Sequence, residues 1–185
     1  MKLSILICSI ESRSNLLARL MAILDMQEHS DVEVLVSIDN RQKKISDKRN
    51  ELLDRAKGEY VVFIDDDDLV PSYYISELLK ALESKPDCVG FDGYMTTNGK
   101  DKRNFKISNT FECWYEKNGV YYRTINHLCP VKRELALQVK FPRGINSGED
   151  ADYSNRLRPL LKTEVYINKD MYHYDYQTAI STQGK

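Results

Sequence analysis

The sequence has little net charge of either sign. Its 27 Lys and Arg residues balance 28 Asp and Glu, leaving -1. A chain so balanced has no global attraction to nucleic acid or an anionic membrane. No apolar run approaches the ~18 residues of a membrane span. The first residues lack a basic leader, a long apolar stretch and a small-residue cleavage site. Cysteine is sparse and not paired by spacing. Cys8, Cys88, Cys113 and Cys129 form no Cys-x-x-Cys, and no His sits at a zinc-finger distance from two of them. Buried free thiols in a reducing cytosol are the simplest account, so the expected location is cytoplasmic, with any membrane contact peripheral. Tryptophan occurs once, at Trp114, and there is no internal repeat, low-complexity stretch or interdomain linker.

What is present suits a single globular domain. The 185 residues are 42% hydrophobic and 30% charged, and a chain of that length can bury a sizeable core. Twelve Tyr and five Phe argue against disorder. Short apolar runs of strand length occur at 3–8, 32–38, 60–64 and 88–91. Between them lie helical spacings: Leu16, Leu17, Leu20, Leu24 after a cap at Ser12 or Ser14, and Leu52, Leu53, Ala56 after a start at Ser46 with Gly58 as C′ residue. A third helix begins near Pro71 and runs to about Ser84. Alternation of this kind predicts an α/β layer with a mainly parallel sheet flanked by helices. Ligands in such sheets bind at the carboxyl ends of strands, where Asp39 and the Asp65–Asp68 run fall.

The second half reads differently. Asn98-Gly99 and Asn118-Gly119 are turn signals among short strand-like pieces at 94–95, 105–107, 113–115 and 120–122, which predicts a small antiparallel region. A helix follows Ser147-Gly148 to Leu157 and ends or kinks at Pro159, and a last strand covers 164–168. The tail at 181–185 is expected to fray.

Three patterns carry chemistry. Phe63-Ile-Asp-Asp-Asp-Asp68 puts four carboxylates at the end of an apolar strand. Two unit charges ~4 Å apart repel by about 4 kcal/mol at an effective dielectric near 20, a penalty that a divalent cation reverses. Alternation along an extended turn sets Asp65 and Asp67 against Asp66 and Asp68, and Asp68 can favour the next helix N-terminus. A solvated acidic turn is the competing reading. Gly148-Glu-Asp150 can supply a general base, or merely place acids at a helix start. Asp47-Lys-Arg-Asn50 can meet phosphate at a helix N-terminus, or form an exposed face.

Together these resemble a family 2 glycosyltransferase of the GT-A fold, a Rossmann-related sandwich. The segment from Lys48 to Val70 resembles that family's most recognisable block, and the segment from Gly148 to Leu157 its later acidic motif. The resemblance runs from Leu3 to Ser181. It implies one domain over 1–185, with a nucleotide-sugar half at 1–92 and an acceptor half at 93–185. It implies that Asp39 reads the nucleotide base or ribose, that Arg49 contacts the nucleotide, and that Asp65 and Asp67 form the DxD pattern. Asp67 is then the direct ligand of Mn²⁺ or Mg²⁺, Asp66 faces ribose or diphosphate, and Asp150 is the catalytic base. His173, in Tyr172-His-Tyr-Asp-Tyr176, completes the metal or diphosphate site or is a structural histidine. The implied reaction is inverting transfer of a single sugar from a nucleotide-diphospho-sugar, a UDP-sugar above all, to a hydroxyl of a glycan, a lipid-linked sugar or another acceptor.

The sequence departs from the family at Cys8-Ser-Ile-Glu-Ser-Arg13 and Asp39-Asn-Arg41, both near the nucleobase pocket, and lacks the Gln-x-x-Arg-Trp of processive members. Residues 94–128 are expected to face the acceptor, with Trp114, Tyr115, Tyr121 and Tyr122 available to stack on a sugar or to pack a hairpin. Three alternatives stand beside this reading. One is a nucleotidyltransferase, disfavoured because residues 9–15 hold no Gly. Another is an inactive GT-A binding module. The third is a modified DNA base as acceptor, met by the basic stretch 100–106, which otherwise reads as a solvated hairpin tip.

Overall fold

A computed structural model describes residues 1–178, so the tail at 181–185 lies outside the described residues. Three strands form the parallel core of the sheet. β1 (Leu3–Ile10) lies between β2 (Val32–Asp39) and β3 (Tyr60–Phe63) and is parallel to both. Leu3, Ile5, Leu6 and Ile7 are all buried, as a strand covered on both faces requires. The chain runs from β1 through α1 (Ser14–Asp25) out to β2, then through α2 (Ile45–Arg55) back past β1 to β3, a path that the right-handed rule for parallel crossovers lays on opposite faces of the sheet.

Local details differ from the sequence expectation for identifiable reasons. Neither Ser12 nor Ser14 caps α1 by its side chain; a 3-10 turn over Glu11–Arg13 leads into it. α2 starts one residue early, because the Ile45 N–H donates to Asn146 Oδ1 at 3.0 Å and Ser46 is occupied by the Ile145 N–H at 3.1 Å. Gly58 is not a helix C′ residue, since the chain turns extended at Ala56. Its lack of a side chain serves a close crossing instead: a Cβ there would lie 2.6 Å from the Ser4 backbone nitrogen. Pro71 precedes α3 (Tyr74–Ala81), its carbonyl accepting the Tyr74 N–H, and a 3-10 turn over Leu82–Ser84 extends the helix.

The sheet then becomes mixed. β4 (Cys88–Thr97) is not beside β3. The two-residue β8 (Val131–Lys132) wedges between them, antiparallel to each, so β4 keeps the direction of β3. β5 (Lys100–Ile107), β7 (Val120–Arg123) and β6 (Tyr115–Lys117) continue the sheet, with β5 and β7 parallel and β6 antiparallel to β7. The last strand is much longer than the expected 164–168. β9 (Glu164–Tyr176) runs parallel along β4 through two register shifts. α4 (Arg133–Val139) and α5 (Glu149–Leu157) complete the fold, and Pro159 sits in a 3-10 turn that ends α5. Cys8, Cys88 and Cys129 are buried and Cys113 is exposed, all of them free thiols.

Candidate active site

The carboxyl ends of β1, β2 and β3 are laced together by side chains. Asp39 ends β2 and accepts Lys48 Nζ at 2.6 Å and the Lys43 N–H at 2.8 Å. Burial pushes the Asp39 carboxyl up, but these donors outweigh it and hold the group below its usual range. Lys48 is itself buried and also donates to the Ser9 carbonyl at the end of β1. The Ser9 hydroxyl donates to Asp66 Oδ2 at 2.6 Å, and Arg13 bridges Asp66 at 2.9 Å and Asp67 at 3.2 Å. Asp39, Asp66 and Asp67 therefore share one connected network.

The four carboxylates after β3 do not alternate between two sides. The Asp68 N–H donates to the Asp65 carbonyl at 3.1 Å, closing a tight turn that sends each side chain its own way. Asp65 takes Arg49 at 3.0 Å and His127 at 3.4 Å. Burial opposes its ionisation, yet His127 and Arg49 prevail and keep its carboxyl well below the usual range. Asp67 is 28% exposed. Burial raises its carboxyl to about 6 against the pull of Arg13, and Asp65 and Asp66 add to the rise. Asp68 is buried and accepts the Tyr172 hydroxyl at 2.7 Å and the Asp175 N–H at 3.0 Å. Burial and the neighbouring Asp65 and Asp67 push it well up. Rather than favouring the next helix, Asp68 bolts the turn to β9.

Beside this turn lies a cavity of about 510 Å³, whose lining includes Arg49, Asp65, His127, Glu149 and Asp150. Asp150 stands in the first turn of α5, partly buried, and among the described residues its Oδ1 accepts only the adjacent Ala151 N–H, at 2.8 Å. Its neighbour Glu149 is turned inward to Arg49 at 2.7 Å. Arg49 is 4% exposed and packs between the Phe63 and Phe141 rings, 5.8 and 5.4 Å from their centroids. Its guanidinium thus ties the acidic turn to the start of α5. Lys48 and Arg49, read from sequence as phosphate contacts, are both paired with carboxylates of the chain.

The structure brings Arg49, Asp65 and Asp150 to one cavity, with Asp39, Asp66 and Asp67 on the adjoining network. His173 stands apart from the cavity lining. Its backbone pairs with Leu69, its Nε2 lies 2.8 Å from the Thr96 hydroxyl, and its ring stacks on Tyr94 at 4.4 Å. Burial lowers its pKa, with Asp175 opposing. The aromatics of the second half divide between the two roles open to them. Trp114 and Tyr121 line the cavity, whereas Tyr115 and Tyr122 stack on each other at 4.7 Å. Sequence reasoning missed His127 and Asn126, buried cavity residues in Ile125-Asn-His-Leu-Cys-Pro130. No periodicity marks them; the only signal is two polar residues inside an apolar run.

The sequence profile described as glycosyl transferase family 2 matches residues 22–139. The chain belongs to that family. The match includes Asp39, Arg49 and Asp65–Asp67, while Asp150 and His173 lie beyond it. Solved structures agree in fold. The crystal structure of S. aureus TarS 1-349 in complex with UDP-GlcNAc superposes with a TM-score of 0.75 at 16% identity, covering 100% of this chain and 60% of that one. The complex of TarS 1-349 with UDP gives 0.74 at 16% identity, over 95% of this chain and 60% of that one. A longer TarS structure gives 0.72 at 16% identity, over 95% of this chain and 37% of that one. This family 2 chain therefore spans about 60% of the length of the TarS 1-349 structures it matches. No curated protein sequence matches it. Among the described residues, no helix is long and apolar enough to cross a membrane.

Proposed function

We propose that this family 2 chain is an inverting glycosyltransferase that moves one sugar from a UDP-sugar to an acceptor hydroxyl with the help of Mn²⁺ or Mg²⁺. The observation that carries the reading is that Asp150 and Asp65, the first carboxylate of the acidic turn, line one cavity of about 510 Å³, with Asp67 joined through Arg13 to the network beside it. Ligands in open α/β sheets bind at the carboxyl ends of strands. The TarS complexes with UDP and UDP-GlcNAc support the choice of nucleotide.

The residues present fit a hard divalent cation. Among the described residues no group of three or more His, Cys, Asp or Glu is placed to hold a metal ion, so a cation here would have to draw on one or two carboxylates and on the phosphate oxygens of the donor. Asp65 and Asp67 are the two partly exposed carboxylates of the turn; Asp65 is held low by His127 and Arg49, whereas the burial and like charges that raise Asp67 toward 6 are what an added cation relieves. Asp67 would hold the ion, with Asp65 beside it. Bound there, a cation supplies neutralisation of the charge growing on the departing diphosphate.

The chain's own residues do the rest. Asp39, with its low pKa, stays a carboxylate and accepts from the base or ribose. Asp66, fixed by Ser9 and Arg13, borders the ribose and diphosphate. Asp150, free of any ion pair among the described residues, takes the acceptor hydroxyl's proton. The acceptor oxygen then bonds to the anomeric carbon as the bond from that carbon to the diphosphate oxygen breaks, and the electron pair leaves on the diphosphate. Calorimetric binding of UDP, GDP, CDP and dTDP, with and without Mn²⁺, on wild type and Asp67→Ala tests this. UDP binding that needs both Mn²⁺ and Asp67 is the expected result. A folded sample that binds no nucleotide under either condition overturns the transferase reading.

A further inference from the structure

β5 and β7 bring a second arginine, Arg123, to the cavity lining. The two strands set Phe105 against Tyr121 and Ile107 against Arg123, and all four residues line the cavity. The two arginines of that cavity are in different states. Arg49 is neutralised by Asp65 and Glu149. Arg123 is partly buried, with its guanidinium 4.7 Å over the Trp114 ring, and no carboxylate of the described residues pairs with it. A second cleft of about 480 Å³ adjoins the first and shares Met95 and Tyr121 with it. There Arg103 donates to the Tyr121 hydroxyl at 2.8 Å and likewise has no carboxylate partner among the described residues. Lys102, on the same cleft, is tied to Asp170 at 3.3 Å.

A partly desolvated guanidinium without a counterion is costly unless an anion joins it. Its planar fork matches the two oxygens of a phosphate or carboxylate. Tyr121 links the pair, because its hydroxyl fixes Arg103 and its strand carries Arg123 two residues on. Trp114, 40% exposed, offers an apolar face for a sugar ring next to that charge. We propose that Arg123 and Arg103 form an oxyanion subsite on the acceptor side, so that the acceptor is a hydroxyl compound bearing a phosphate or carboxylate. This rests on the transferase reading of the cavity.

The test is an NMR titration of the full chain with glucose, glucose 6-phosphate and glucuronate, each with and without saturating UDP and Mn²⁺. UDP occupies the donor site, so binding that persists in its presence is acceptor-side binding. At least one charged sugar should bind ~10-fold or more tightly than glucose, the scale of a charge-assisted contact. The two charged sugars separate phosphate from carboxylate recognition. Arg123→Gln should abolish the preference with UDP affinity unchanged, and Arg123→Lys, which keeps the charge, should retain part of it. Equal binding of charged and neutral sugars, or none by any of them, overturns the subsite. So does a loss of UDP affinity in Arg123→Gln that accompanies the loss of sugar preference, which would assign the guanidinium to the donor diphosphate. Failure of wild type to bind UDP strikes the transferase reading instead, and the titrations without UDP still judge the oxyanion preference.

Discussion

Replacing Arg49 by Met should cost the protein far more than the loss of one surface charge. Arg49 and Glu149 are 5% and 8% exposed at their side chains and meet at 2.7 Å. Removing one partner of such a pair leaves a buried charge uncompensated, at about 3–5 kcal/mol. Met keeps the apolar stem between Phe63 and Phe141, so the loss is mainly electrostatic. Asp65 retains His127 at 3.4 Å, which makes Glu149 the stranded group. At ~2–4 °C per kcal/mol for a chain of this size, the melting temperature should fall by about 10 °C. Adding Glu149→Gln to Arg49→Met removes the stranded charge and should recover ~1–3 kcal/mol of coupling. Urea and thermal unfolding followed by circular dichroism on the two single variants and the double measure both quantities. A fall below ~3 °C in Arg49→Met, or single effects that add within ~0.5 kcal/mol, would refute the view of Arg49 as the tie between the turn and α5.

Three further outcomes are expected. Asp150→Asn should slow sugar transfer by ~10²–10⁴-fold while leaving UDP affinity intact; single-turnover transfer and calorimetry on one sample separate the two, and equal activity would remove Asp150 as the base. Asp87 carries an acid-stability element: burial raises its carboxyl, but Lys132 at 2.8 Å and the Lys162 and Thr163 N–H groups bring it down to about 2. Because its folded value lies below its unfolded value near 3.8, its stabilisation is complete above about pH 4 and is lost as pH falls toward 2. Asp87→Asn should flatten that limb of the stability-pH curve, and an unchanged limb would count against it. Gly58→Ala forces a Cβ within 2.8 Å of the Leu3 and Ser4 backbone and should destabilise by about 1–3 kcal/mol; wild-type stability in a urea melt would show that the crossing has slack.

The first half of the fold was legible because each strand there is a short apolar run with helical spacing between. Burial of β1 and β3 on both faces leaves that pattern in the sequence itself. The second half hid β8 and α4 altogether and the greater part of β9. β8 is two residues long, too short for any periodicity. β9 carries Lys169-Asp170 in its middle, at the register shifts against Phe91–Gly93, and polar residues at a bulge end a strand to a reader of sequence. The family motif singles out Asp39, Asp65–Asp67 and Asp150 by their order along the chain, and of these Asp65 and Asp150 line one cavity. What it did not convey is partnership. That Lys48 serves Asp39, that Arg49 serves Glu149 and that Asp68 serves Tyr172 depends on which strands lie side by side. His127 approaches Asp65 across 62 positions, a distance over which local pattern says nothing.

The bolt between the acidic turn and β9 also orders events in time. Tyr172 donates to Asp68 across 104 positions and accepts from the Asp65 N–H across 107. At ~5–20 residues per second of synthesis, Tyr172 leaves the ribosome some ~5–20 s after Asp65. For that interval β1, β2 and β3 can pair and Lys48 can find Asp39, while the carboxylates of the turn have neither the Tyr172 hydroxyl nor the Asp175 N–H to hold them. The final pose of the turn's carboxylates therefore waits on β9, the last strand to leave the ribosome.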